Sequence, residues 1–167
     1  MKTKIAKKST LAVSAIRHGT VIDHIPKGQA FTIIQLLKLC EHQKSVTLGL
    51  NLPSGSMSTK DIIKVEGREI SPDEANQIAL FSPNATINII QEYEVVQKYK
   101  VCLPDSITQL IRCPNPQCIT NHETMASCFI VKNQMDNVFL HCKFCRKSYS
   151  QQNIKEFIFN KISPFYH

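Results

Sequence analysis

Glycine is scarce in this chain of 167 residues, occurring five times, at positions 19, 28, 49, 55 and 67. No two of them stand in the spacing of a P-loop or of a G-x-G-x-x-G dinucleotide fingerprint, which excludes phosphate cradling by a glycine-rich helix start. No apolar run approaches the roughly 18 to 20 residues a membrane span needs, so no membrane partner is expected. No Ser-His-Asp or Cys-His set is signalled, and no cluster of histidines and carboxylates offers a metal with an open position. These absences point away from an enzyme and toward a binding or regulatory role. One-sided charge is missing too, except at the ends. The net charge is +7 and the pI about 9.1. Residues 1–10 carry four lysines and no acid, residues 11–111 nine bases against ten acids, and residues 112–167 seven bases against three acids. The basic character belongs to a tail and to the C-terminal part. The balanced middle argues against a nucleic-acid partner, although a zinc-ribbon nucleic-acid-binding protein is the alternative that the basic ends support.

What is present is cysteine, in a pattern. Cys113, Cys118, Cys142 and Cys145 form Cys-x4-Cys and Cys-x2-Cys pairs separated by 23 residues. Two thiolate pairs at opposite ends of a small loop-rich module supply the closed tetrahedral sulfur set that a structural Zn²⁺ prefers, with no open position for substrate. Disulfides are the competing reading, which an expected reducing, cytoplasmic setting without a leader-like start disfavours. Iron fits the same geometry. His122 and His141 lie near the cysteines but are superfluous beside four sulfurs. Cys40, Cys102 and Cys128 read as small core residues.

Hydrophobic patterning predicts two units. Leu11 to Ile16 and Thr20 to Ile25 read as strands around an Arg17-His18-Gly19 turn, and Gln29 to Glu41 carries apolar residues at helical spacing. Val46 to Leu52 and Lys60 to Glu66 read as paired strands across Pro53-Ser54-Gly55. Ser71-Pro72-Asp73-Glu74 opens a second helix with a capping box, running to about Leu80, and Thr86 to Ile90 and Tyr93 to Val101 supply further strands. This order suits an α+β, ferredoxin-like antiparallel sheet with two helices on one face over residues 1–102. Residues 103–167 form a small all-β zinc-ribbon or rubredoxin-like domain, with short strands around Phe129 to Val131, Val138 to His141 and Ser148 to Tyr149. So small a piece needs a staple. Phe129, Phe139 and Phe144 read as its core.

Six segments then stand in order: Thr20-Val-Ile-Asp-His-Ile-Pro26, Leu48-Gly-Leu-Asn-Leu-Pro-Ser-Gly55, Lys60-Asp-Ile-Ile-Lys-Val-Glu66, Tyr93-Glu-Val-Val96, Cys113-Pro-Asn-Pro-Gln-Cys118 and Cys142-Lys-Phe-Cys145. Over roughly residues 11–155 the chain closely resembles the regulatory chain of aspartate carbamoyltransferase. The resemblance implies a non-catalytic allosteric subunit of pyrimidine biosynthesis, whose N-terminal domain binds nucleotides and whose zinc domain docks on the catalytic chain. Regulatory-chain homodimers would link catalytic trimers, with inhibition by CTP, assisted in some members by UTP, and opposition by ATP. It also implies a nucleotide site on Asp23, His24, Lys60, Lys64 and Lys98, with backbone contacts to the base from around Ile16 and from Tyr93 and Val95. Lysine serves as a point-charge phosphate partner where no glycine-rich loop exists. Strand alternation would put Asp23 and His24 on opposite faces, so both reach one ligand only if the strand ends or bulges there, and Pro26 makes an ending plausible. Between the first two cysteines, Pro116 and Gln117 depart from the family's usual asparagines.

Overall fold

The computed structural model describes residues 13–135 and 137–154. The lysine-rich start, Leu11 and the apolar tail from Phe157 lie outside them. The first unit comprises β1 (Gly19–Ile25), α1 (Ala30–Leu36), β2 (Val46–Ser54), β3 (Ser58–Glu66), α2 (Pro72–Ile78), β4 (Thr86–Gln91) and β5 (Glu94–Lys100). Its sheet runs β2-β3-β1-β4-β5, and all four pairings are antiparallel. The first four strands have ferredoxin-like order, and β5 is added at the edge as a hairpin partner of β4.

Alternation decides the two faces. Ile22 lies opposite Ile63 on β3 and Ile87 on β4, and Thr20 opposite Val65 and Ile89. All six are buried, and with Ala30 and Ile33 of α1 and Ala75 and Ile78 of α2 they make the core on the helix side. The intervening positions Val21, Lys64, Asn88 and Lys98 pair with one another and form the opposite face. Thr20 is polar but satisfied: its hydroxyl donates to the Arg68 carbonyl at 2.8 Å and accepts from the Ile70 N–H at 3.1 Å. Helix α2 begins as its sequence dictates, with Ser71 and Glu74 closing a reciprocal capping box and Pro72 in the first turn.

Several expectations change. The helix expected through Glu41 stops at Leu36, because Lys38 adopts a left-handed φ of 51° before a separate 3-10 turn, Leu39–Glu41. Of the strand expected over Leu11 to Ile16, the described part from Val13 is not a strand; the carbonyls of Val13 and Ser14 accept from the Lys64 ammonium instead of a ladder partner. Cys40 and Cys102 are exposed and Cys128 half-buried, so they are not core. Cys40 sits on the 3-10 turn that follows Lys38, and Cys102 in the segment leaving β5.

The second unit is a four-stranded antiparallel sheet in simple order, β6 (Ser106–Thr108), β7 (Cys128–Gln134), β8 (Asn137–Cys142) and β9 (Ser148–Ser150), followed by the short α3 (Gln151–Ile154). Phe129, Leu140, Ile111 and Ile154 are fully buried. Phe144, expected in this core, is instead 40% exposed because it occupies the turn between Cys142 and Cys145. The units touch where the Gln151 side-chain amide donates to the Leu80 carbonyl at the end of α2. Among the described residues, no helix is long and apolar enough to cross a membrane.

Candidate effector cleft and metal centre

The register of β1 against β3 breaks between Ile22 and Ile25: Ile22 faces Ile63 and Ile25 faces Asp61, so three residue steps on β1 span two on β3. This is a β-bulge, and His24 takes a left-handed φ of 59° within it. The bulge cancels the alternation that would separate Asp23 from His24. The His24 Nδ1 lies 3.7 Å from an Asp23 carboxylate oxygen and 3.3 Å from the Thr86 hydroxyl, and the His24 N–H donates to Asp23 Oδ1 at 2.6 Å.

Asp61 holds this geometry in place and was not singled out by its sequence context. Its side chain is fully buried and accepts from the N–H of Gly28, beyond the β1 bulge, at 2.8 Å. Its other oxygen accepts from the N–H of Asn51 at 3.0 Å, where β2 has its own irregularity and Asn51 a φ of 55°. One carboxylate therefore closes two breaks in the ladder. An acidic residue in an apolar strand is the signal that could have found it.

On the open face, Lys60 Nζ reaches both Asp23 oxygens, at 2.7 and 2.9 Å. Burial alone would push the Asp23 carboxyl up; the Lys60 hydrogen bond, the His24 N–H and the Lys60 charge outweigh it and hold the carboxyl below its ordinary value. Lys64 is buried by the segment above it, donating to the carbonyls of Val13 at 3.0 Å and Ser14 at 2.6 Å, and desolvation draws its pKa down. Gly49 permits that close approach, because a Cβ there would lie 3.0 Å from the Val13 side chain and 2.8 Å from Ile62. Lys98 lines an open cleft of about 560 Å³ with His24, Ser56, Asn84, Thr86 and Lys100. Thr86 and Lys100 were not anticipated there; both follow from the register, since Asp23 pairs with Thr86 and Thr86 with Lys100.

Ile16, Tyr93 and Val95 stand at the other end of the sheet. The Tyr93 N–H donates to the Arg17 carbonyl at 3.0 Å, which brings the residues before β1 against the β4–β5 turn. Arg17 grips the Glu92 carboxylate with two hydrogen bonds of 2.9 and 3.0 Å, and His18 Nε2 lies 3.1 Å from the same group. Tyr93 and Val95 are exposed. The residues expected to form a nucleotide site thus fall into two groups, a charged end at Asp23, His24, Lys60 and Lys98 and an apolar end at Ile16, Tyr93 and Val95, with Lys64 between them opposite Val21.

In the second unit the four cysteines converge. Their sulfurs all lie within 4.8 Å of one another, with Cys113 to Cys145 at 3.6 Å and Cys118 to Cys142 at 3.8 Å. A zinc–sulfur bond of about 2.3 Å implies a tetrahedron edge of about 3.8 Å, whereas a disulfide would need about 2.05 Å, so the donor set fits a four-coordinate metal. Burial pushes the Cys113 and Cys142 thiols up. Burial acts in the same direction on Cys145, but the Lys147 N–H and neighbouring groups bring it down to about 6. Thr120 approaches the Cys118 sulfur at 3.2 Å. His122 is engaged with the Pro116 carbonyl at 2.7 Å and His141 with the Ser148 hydroxyl at 3.0 Å, so neither joins the sulfur set. Gln117, whose contacts were singled out by its departure from the family pattern, donates its N–H to the Asn115 side chain at 3.3 Å.

The fold and the two sites define a chain with an α+β unit that carries a basic cleft and a second unit whose four cysteines can hold a metal. Residues 11–102 match the family described as the allosteric domain of the aspartate carbamoyltransferase regulatory chain, and residues 105–155 match its metal-binding domain. Aspartate carbamoyltransferase regulatory chains of Aeromonas salmonicida, Cronobacter sakazakii and Chromobacterium violaceum are 44%, 48% and 44% identical to it. The matches cover 91%, 84% and 88% of this chain and 99%, 92% and 97% of those relatives. The chain belongs to the aspartate carbamoyltransferase regulatory chain family, and it is a regulatory rather than a catalytic subunit.

Proposed function

We propose that this subunit binds nucleoside triphosphates on the open face of its five-stranded sheet and passes their signal to the catalytic chain through the metal unit. Residues 1–102 act as the effector domain and residues 103–167 as the docking domain, in a cytoplasmic assembly. The observation that carries this reading is the β1 bulge, which sets His24, a lining residue of the Lys98 cleft, beside Asp23 and its partner Lys60. A triphosphate carries about four negative charges, and lysines with a histidine are the cations available to it. Asp23 accepts from ribose hydroxyls, Lys60, Lys64 and Lys98 face the sugar and phosphates, and backbone groups at Ile16, Tyr93 and Val95 meet the base. CTP and UTP inhibit and ATP activates, each through its differential affinity for two states of the assembly.

The metal is Zn²⁺, one per chain, held by Cys113, Cys118, Cys142 and Cys145. Ile119 and Phe144, 51% and 40% exposed beside the cysteine loops, provide apolar surface for the catalytic chain. Among the described residues the edges of the first sheet, β2 and β5, carry no further strand and suit pairing with a second copy, so that regulatory dimers bridge catalytic trimers. Calorimetric titration of CTP, UTP and ATP into the full chain, alone and with catalytic trimers, tests the reading. Saturable binding of all three and a mass consistent with bridged trimers are expected. Absence of nucleotide binding, or preferential binding of a DNA duplex, overturns it.

A further inference from the structure

The metal centre has a neighbour that the four-sulfur set does not explain. Tyr149 lies on β9 opposite Leu140, and its hydroxyl oxygen is 3.8 Å from the Cys113 sulfur and 3.9 Å from the Cys145 sulfur. Among the described residues that hydroxyl meets no other hydrogen-bonding partner. These two sulfurs also form the close 3.6 Å pair, so the phenol sits over one edge of the donor set. Four thiolates around a divalent ion leave the centre with two excess negative charges concentrated on sulfur, and donors outside the ligand shell relieve that density and hold the ligands in place. Cys118 has such a donor in Thr120 at 3.2 Å. Phenylalanine at 149 could pack the same ring but would bring no proton.

We infer that Tyr149 is a positioning residue for the metal centre, its phenol O–H shared between the Cys113 and Cys145 thiolates. The donated proton lowers the electron density on these two sulfurs, which makes them poorer nucleophiles toward an electrophile such as a mercurial. Tyr149 keeps its proton throughout, so no bond is made or broken. The inference rests on the four-sulfur reading of the centre.

The test uses the full chain loaded with Co²⁺, whose sulfur-to-metal charge-transfer band reports thiolate electron density. Wild type, Tyr149→Phe and Thr120→Val are compared for band energy and for the rate of metal release to a mercurial. Tyr149→Phe is expected to move the band to lower energy and to speed release about tenfold, the lower end of what such outer neighbours contribute. An unmoved band overturns the inference even if release is faster, because that pattern means looser packing alone. Should Tyr149→Phe load poorly, global replacement of tyrosine by 3-fluorotyrosine supplies a stronger donor at the same place; the band then shifts to higher energy, and no shift counts against the inference. Failure of the four-sulfur reading would look different, with wild type itself taking up less than one metal per chain.

Discussion

The five-stranded unit closes on hydrocarbon: Ile22, Ile25, Ile33, Ile63, Val65, Ile78 and Ile87 have no exposed surface. The four-stranded unit has far fewer such residues, and between its cysteine loops the interior is sulfur, with Cys113, Cys118 and Cys142 all buried. At roughly 25 cal/mol per Å² of apolar surface buried, the first unit can meet its conformational entropy with its own side chains, while a module of about 50 residues cannot. The same chain thus contains a sheet closed by side-chain packing and a sheet whose interior is a four-sulfur set fitted to a metal. The comparison explains why the first unit can carry irregular strands: its core tolerates two ladder breaks, near His24 and Asn51.

The sharpest way to break this comparison is metal removal. Structural zinc contributes about 10 to 16 kcal/mol to folding of small modules, comparable with or above the total stability of a domain. Chelation, or Cys113→Ser, is expected to abolish amide protection in β6 to β9 and docking on catalytic trimers, while β1 to β4 retain theirs. Hydrogen exchange read by peptide resolves the two sheets. Equal loss in both would mean that the units share one folding transition.

Asp61→Ala should do the reverse, at smaller cost. It leaves the Gly28 and Asn51 N–H groups without their buried acceptor, each worth about 1 to 3 kcal/mol. Thermal unfolding of the first unit is expected to shift down by many degrees and nucleotide binding to weaken with it, because the bulge that joins Asp23 to His24 loses its support. The metal unit should unfold as in wild type. An unshifted first transition would show that the bulge stands without Asp61.

These irregular places are also where the amino-acid pattern was hardest to read. The sheet core was legible because its periodicity is strict: Ile22, Ile63, Val65 and Ile87 fall on one face in any regular pairing. The cysteine pairs were legible because sulfur chemistry tolerates few alternatives at that spacing. The bulge could be stated only as a requirement, since it depends on the register of β1 against β3 and on Asp61, a contact 33 residues from Gly28. The stop at Lys38 was hidden because lysine is an ordinary helix former, and Arg68, which donates to the Leu37 carbonyl at 3.1 Å, is far along the chain. Segment 13–16 looked like a strand because its composition is apolar, but its carbonyls answer to Lys64.

Within the first unit, Lys98→Ala separates binding from folding. Loss of one charge-assisted phosphate contact costs about 1.5 to 3 kcal/mol, or roughly ten- to a hundredfold in affinity for CTP and ATP by calorimetry, with metal content and assembly unchanged. Lys132→Ala, on the exposed part of β7, is the control. Affinity lost equally in both variants would place nucleotide attraction in overall charge, not in the cleft.

The smallest effect concerns the carboxylates, and it sharpens the comparison within one unit. Glu74 is pushed up by burial, but the Ser71 N–H and Arg68 outweigh that and hold it below its ordinary 4.5. Glu92 is held down by the Arg17 hydrogen bonds, with His18 adding to it, on a fully exposed surface. A carboxyl whose folded pKa is depressed adds stability above its unfolded value and loses it as pH falls through the folded one. Glu74→Gln should therefore lower the stability of the first unit at neutral pH and flatten its decline below about pH 4.5. Glu92→Gln should change neither by a measurable amount, because water and salt screen an exposed pair. Protection of β1 to β4 amides measured between neutral and acid pH avoids interference from metal loss in the other sheet. A Glu92→Gln effect equal to that of Glu74→Gln would mean that the Arg17 clasp at the apolar end of the site is part of the fold's support, and not only a surface contact joining the β4–β5 turn to the segment before β1.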